Sequence, residues 1–505
     1  MPEQAIASGK TNLTHASIGN FRWSALTTAS TSGAQFVISI ILMRILEPKD
    51  FGVVAYAMVF VMLTSRITEF GIAPAIVQAK DLNRHHLRVG FTLTVFLAAT
   101  CYLGLFMVAP HVASGIRMRV LRVAGLSLVI SSVGLVATST LQRQLRFKDL
   151  FYIVFLSSVV GYGLVSVTLA LLGYGPWSLV LGNIAQLILR NAACYVASPH
   201  SIVPSMRREE VRELLTYGFG MSLGTLANIV AKNGHIFVVG RVLGDALLGV
   251  YQRAYTLVLF SIGVYSRASI AVLFPTLARV QTDRDRLRRG YITSVSLTSF
   301  VLFPIMTWVA VCAPEIVIGL LTRKWEAMIP LIRVFCLLGV FASIYPMGDA
   351  LGRACGRVYI KSMIHVVYAI TSIGLCYVAA FHGVLIVAGA MVVSVIITYS
   401  LMGILVTRIL DISFFDFMGA QLPGICSSVV IFGICYPATW LGRSVGIPEI
   451  GLLVIQALTA IASLAVALLC LPEALVRVPR KIFREHLRPR VLRGLARPVL
   501  GRMNS

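Results

Sequence analysis

Apolar runs of about 20 residues recur about fourteen times along this 505-residue chain. A bilayer core is about 30 Å thick and an α-helix rises about 1.5 Å per residue, so each run is long enough to span it. The first six runs fall at 23–46, 53–73, 89–109, 121–141, 151–172 and 177–197. Four more follow at 215–240, 250–275, 291–313 and 329–350, and the last four at 359–381, 383–407, 419–440 and 450–471. Composition agrees: 57% of residues are hydrophobic and 13% charged, with a mean hydropathy of +0.85. A soluble domain carries about 25% charge. The expected fold class is all-α, a polytopic membrane protein with about 14 transmembrane helices.

The net charge of +24 lies mostly between the apolar runs, which is the pattern of membrane topology and not of nucleic-acid binding. Taking the N-terminus, the even-numbered loops and the C-terminal tail as one side, 30 of the 44 Lys and Arg fall there. Nine fall on the other side and five lie within spans. The positive-inside rule then expects both termini in the cytoplasm. The polar segment Met1 to Asn20 has no signal-peptide pattern, so the first span is expected to direct insertion. The loops on the opposite side are too short to house an active site. The nine cysteines stand singly, with no CxxC, and indicate neither a metal site nor a cofactor. Asp283-Arg284-Asp285 has the letters of a glycosyltransferase DxD but no α/β domain around it. Asn12-Leu13-Thr14 is a glycosylation sequon by letter only, on the wrong side.

A repeat relates the two halves. Arg44-Ile45-Leu46, Gly52-Val53 and Ala57 match Arg241-Val242-Leu243, Gly249-Val250 and Ala254, each at an offset of 197. Six helices separate the copies, an even number, so the halves are expected to be parallel lobes related by a pseudo-two-fold axis. The expected domains are an N-terminal six-helix lobe over 1–200, a cytoplasmic linker over 201–214 and a second six-helix lobe over 215–408. Two extra helices follow over 409–471, then a basic tail over 472–505. The linker is read as amphipathic and the tail as a segment lying on anionic lipid.

Ionisable residues inside spans cost about 2.5–3.5 kcal/mol each on insertion scales, which makes them functional candidates. The seventh span carries Thr225, Asn228, Lys232 and His235, spaced to share one helical face. Subtracting 197 gives Thr28, Thr31, Gln35 and Ile38 on the first span. A polar stripe in both halves points to one cavity; a polar seam between packed helices is the alternative. Arg253 and Arg267 share the eighth span, about 21 Å apart along its axis. Arg66 and Glu69 form an i,i+3 pair on the second span. The tenth holds Arg333 near its extracytoplasmic end and Asp349 near its cytoplasmic end, where snorkelling to the interface is the rival explanation. Candidate substrate-binding residues are therefore Arg66, Lys232, Arg253, Arg267, Arg333, Gln35 and Asn228. Glu69 and His235 are candidates for ion coupling. Bases dominate the set, which suits an anionic, phosphate-bearing substrate.

Trp23-Ser24-Ala25-Leu26, Ile40 to Leu46 and Pro48-Lys49-Asp50-Phe51-Gly52 resemble the start of the polysaccharide transporter (Wzx-type flippase) family. Glu69-Phe70-Gly71, Ala75-Ile76-Val77-Gln78, Gly249-Val250-Tyr251, Ala254 and Phe274-Pro275 extend the resemblance, which is closest to the colanic acid and exopolysaccharide branch. It implies the multidrug/oligosaccharidyl-lipid/polysaccharide exporter fold, with two lobes around a cationic cavity. It implies no enzyme activity but a flippase in a bacterial inner membrane. The implied substrate is an undecaprenyl-diphosphate-linked oligosaccharide, for exopolysaccharide or lipopolysaccharide synthesis. Implied partners are membrane lipids and polysaccharide polymerase and co-polymerase proteins. The family has no short invariant catalytic motif. Rival expectations are a multidrug or cation antiporter of the same fold, which the cavity charge disfavours, and a membrane glycan polymerase or ligase, which needs a larger outer loop.

Overall fold

The computed structural model describes the backbone of residues 2–69, 71–78, 83–206, 211, 229–230 and 232–470, and for 2–22, 25, 78, 267, 268, 271, 272, 274, 275, 469 and 470 the backbone alone. All regular structure among the described residues is helical. In the first part of the chain the helices are α1 (Pro2–Ile45), α2 (Pro48–Glu69), α3 (Ile72–Gln78), α4 (Arg84–Val112), α5 (Gly115–Arg143), α6 (Phe147–Leu156), α7 (Val165–Leu171) and α8 (Pro176–Ala197). Then come α9 (Asp245–Arg279), α10 (Arg284–Val311), α11 (Met328–Ala354), α12 (Val358–Ala380), α13 (Val384–Leu410), α14 (Leu422–Ser444) and α15 (Glu449–Cys470). Thirteen described helices are long and apolar enough to cross a membrane. The expected seventh span at 215–240 lies largely outside the described residues; 232–242 is helical. The amphipathic linker lies mainly outside them, and the basic tail wholly so.

Helix ends follow local chemistry. Pro176 begins α8 where its missing N–H costs nothing, directly after Gly175 at φ +54°. Gly173 (φ +82°) and Gly383 (φ +109°) close the two shortest links between expected spans, in a conformation that side chains resist. The second span is broken at Gly71 (φ +69°), so α2 ends at Glu69 and α3 begins at Ile72. The fifth span runs through a π-helical stretch, Ser157–Leu164, between α6 and α7. Its small residues allow close approach: a Cβ on Gly161 would lie 2.6 Å from the Gln186 Cα.

The chain forms two compact units, residues 1–252 with 372–384, and 253–371 with 385–505. In the first, α5 is the central helix and packs against α2, α3, α4 and α8. In the second, α10 packs against α11 and α14, and α14 against α15. The core of the second unit gathers Leu277, Leu287, Tyr291, Phe303, Ile344, Tyr399 and Phe417, all buried.

The repeat appears as a reciprocal contact inside the first unit. A Cβ on Gly52 would sit 1.8 Å from the carbonyl oxygen of Asp245. A Cβ on Gly249 would sit 1.8 Å from the carbonyl oxygen of Pro48. Gly249 is the repeat equivalent of Gly52, and Asp245 of Pro48, so the starts of α2 and α9 meet as a local two-fold requires. Arg117 fastens this junction, its Nε donating to Asp245 Oδ1 at 2.5 Å while its guanidinium lies 4.9 Å from the Tyr56 ring centre. The Tyr56 hydroxyl donates to the Val112 carbonyl at 2.8 Å.

Candidate functional site

Three polar constellations stand inside the helical units. The first is a cavity of about 190 Å³ in the first unit, where α2, α3, α4, α5 and α8 converge. Its wall is hydroxyl-rich, with Thr68, Thr94, Ser131, Ser132, Thr138 and Ser139 alongside Gln142, Glu69 and Arg190. The hydroxyl hydrogens are engaged: Thr94, Thr138 and Ser139 each donate to the carbonyl four residues back at 2.8 Å. That satisfies the donors within apolar helices and leaves the oxygens able to accept. Glu69 reaches this cavity because α2 stops there, and Arg66 Nη1 donates to its Oε2 at 2.9 Å.

The second is a cavity of about 530 Å³ in the second unit, between α10, α11 and α14. Arg333 and Arg443 line it, with Thr307, Thr439, Phe432, Tyr436 and Trp440. Glu315, only 2% exposed, accepts from both Nε (2.7 Å) and Nη2 of Arg443. Its other carboxylate oxygen is buried with no hydrogen-bond partner among the described residues. The third constellation joins α11 to α12. Asp349 accepts from His365 Nε2 at 2.9 Å and lies 3.2 Å from Lys361 Nζ and 3.5 Å from Arg353 Nη2. Gly356 (φ +72°) turns the chain between the two helices so that these groups meet.

The sequence candidates are distributed as follows. Arg66 and Glu69 form the expected pair, about half exposed. Gln35 is exposed on α1, and Thr28 is exposed with its hydroxyl bonded to the Ser24 carbonyl. Lys232 is exposed, whereas His235 is fully buried. The His235 Nε2 donates to the Lys232 carbonyl at 3.0 Å, which leaves Nδ1 to accept from the Tyr251 hydroxyl at 3.0 Å. Arg253 is half-buried on α9. Arg267 lies on the same unbroken helix, its side chain outside the described residues, and Asn228 and Thr225 lie outside them altogether. Arg333 is exposed and stands in the second unit with Arg443.

Four ionisable groups lie outside the set that the sequence singles out. Arg190 was counted with a loop, yet it lies inside α8 and lines the hydroxyl-walled cavity. Arg443 was likewise assigned to a loop. Glu315 follows Pro314 at the end of an apolar run, where a carboxylate has to find a base; that was the available signal. His365 sits seven residues into a span, four after Lys361, and this i,i+4 spacing facing Asp349 was legible but unused. Among the described residues no cluster of His, Cys, Asp and Glu is suited to a metal.

Thirteen described helices long and apolar enough to cross a membrane, with polar cavities held inside each compact unit, define a polytopic membrane protein. Solved structures agree on the fold. The "Lipid II flippase MurJ, inward closed conformation" matches 90% of this chain and 99% of its own, with TM-score 0.72 and 14% identity. An inward-facing multidrug resistance MATE family transporter of the MOP superfamily matches 77% of this chain and 99% of its own, with TM-score 0.61 and 14% identity. The chain belongs to the polysaccharide biosynthesis protein family, whose model matches residues 41–330. It is 28% identical to the Succinoglycan biosynthesis transport protein ExoT of Rhizobium meliloti, over 63% of this chain and 65% of that protein. It is 23% identical to the Lipopolysaccharide biosynthesis protein WzxC of Escherichia coli, over 67% and 70%.

Proposed function

We propose that this protein flips an undecaprenyl-diphosphate-linked oligosaccharide repeat unit across a bacterial inner membrane, for exopolysaccharide or lipopolysaccharide synthesis. The observation that carries the reading is the coincidence of family and fold: a polysaccharide biosynthesis family member with the helical architecture of a lipid-linked glycan flippase. Alternating access of the two six-helix lobes, 1–200 and 215–408, moves the substrate. Arg66, Lys232, Arg253 and Arg267 hold the diphosphate, with Arg333 in support, because guanidinium and ammonium groups match phosphate charge. Gln35 and Asn228 contact sugar. Glu69 and His235 couple the cycle to an ion gradient, and both termini face the cytoplasm. Polymerase and co-polymerase proteins receive the product.

Reconstituted protein supplied with a labelled polyprenyl-diphosphate oligosaccharide tests this. Lys232→Ala and Arg267→Ala should each slow translocation about tenfold or more, the worth of one charged hydrogen bond to phosphate. Wild-type rates in both variants would remove the phosphate-holding roles. A second reading, export of an organic cation, is favoured by the likeness to the MATE transporter fold. Accumulation of a cationic dye in the same vesicles, without glycan flipping, would select it.

A further inference from the structure

The cavity of the second unit has a polarity of its own. It is a groove with α11 on one side, α14 on the other and α10 as its floor. Arg333 lies near the start of α11 and Arg443 near the end of α14, and both line it. Phe432, Tyr436 and Trp440 lie four residues apart on α14, on one helical face. The Phe432 and Tyr436 rings stack at 5.2 Å, and all three side chains are at least half exposed. Across from them the α11 wall is Cys336, Leu337 and Val340. One end is therefore cationic and the remainder aromatic and aliphatic.

The two arginines are not equivalent. Arg443 is bound to the buried Glu315, which cancels most of its charge. Arg333 makes no ion pair among the described residues, and it is exposed to the groove. A guanidinium with no counter-ion among the described residues, at the mouth of an apolar groove of about 530 Å³, calls for an anion attached to something apolar. The volume lies within the roughly 300–1,000 Å³ range of small-molecule sites. Helices of this length place the groove within the bilayer, where the abundant anion with an apolar body is a phospholipid. A sugar would leave the aromatic and aliphatic walls facing hydrocarbon without gain.

We propose that this groove is a binding site for an anionic membrane phospholipid, its phosphate on Arg333 beside the Arg443–Glu315 pair and an acyl chain along Phe432, Tyr436 and Trp440. The site shares only Arg333 with the set proposed to hold the diphosphate, and its occupancy is read at Trp440 with no flipping substrate present, so it stands or falls without the flipping reaction. A bound lipid would seal the gap between α11 and α14. The head group marks the leaflet on the side where α11 begins.

The test uses the full chain in vesicles of phosphatidylcholine containing brominated phosphatidylglycerol or, in parallel, brominated phosphatidylcholine. Bromine quenches tryptophan on contact, and the Trp440 contribution is the difference between wild type and Trp440→Phe. The expected result is a preference of about fivefold for phosphatidylglycerol at Trp440, the worth of about 1 kcal/mol for one unpaired base at a membrane surface. Arg333→Ala should abolish the preference with the fold intact, since this side chain has no carboxylate partner among the described residues to strand. Arg333→Lys should keep most of it. Equal quenching by the two lipids, or an unchanged preference in Arg333→Ala, would overturn the proposal. Displacement of the lipid by inorganic phosphate alone would also overturn it, because the chain would then contribute nothing.

Discussion

Glu315 shows how one side chain sets the chemistry around it. A carboxylate 2% exposed within apolar helices is tolerable only while Arg443 is bound to it. Arg443→Ala is expected to cost about 3–5 kcal/mol, because the carboxylate is then buried and unpaired. Thermal unfolding in detergent should register the loss, and the double variant Glu315→Gln, Arg443→Gln should recover most of it. Equal stability of the single and double variants would mean that water reaches Glu315 freely. At this scale the sequence was only partly legible. Arg66 and Glu69 were read as a pair because three residues along a helix is local geometry. Arg443 and Glu315 are 128 residues apart, and only tertiary packing brings them together.

The helical elements were the most legible level. Apolar runs expected at 89–109 and 121–141 are the centres of α4 and α5, which extend beyond them into polar residues. Hydropathy reports the part of a helix inside hydrocarbon and is silent on the turns that project from it. The break at Gly71 was invisible to it for the same reason: an interrupted helix is as apolar as a continuous one. Both repeat glycines, by contrast, mark contacts between elements. Gly52→Ala and Gly249→Ala each place a methyl group against a backbone carbonyl, which no rotamer change relieves. Each should destabilise by about 1–3 kcal/mol, with transport falling as α2 and α9 are pushed apart. Gly33→Ala, where a Cβ meets nothing, is the matched control. Similar melting temperatures in all three variants would show that the junction is looser than drawn.

For the whole molecule, the even number of expected spans and the excess of Lys and Arg on one side predict that both termini face the cytoplasm. Reporter fusions after Arg143 and after Arg357 should behave as cytoplasmic, and fusions after Gly173 and His382 as extracytoplasmic. The reverse pattern would invert the assigned leaflets. What the sequence hid at this scale was the content of the cavities. The hydroxyl-walled cavity draws on five helices, and its Ser and Thr residues read individually as ordinary components of apolar spans. Arg190 became visible as a cavity residue only when α8 was seen to carry it inward.

The reciprocal seating of Gly52 and Gly249 reaches beyond stability. Duplicated segments ordinarily drift apart, because each copy answers to its own surroundings. Here each copy's glycine rests on the backbone of the other, so a side chain gained at position 52 is felt at 245, and one gained at 249 is felt at 48. The two halves carry one constraint written twice, and neither can be re-engineered at this junction as though it were a separate module.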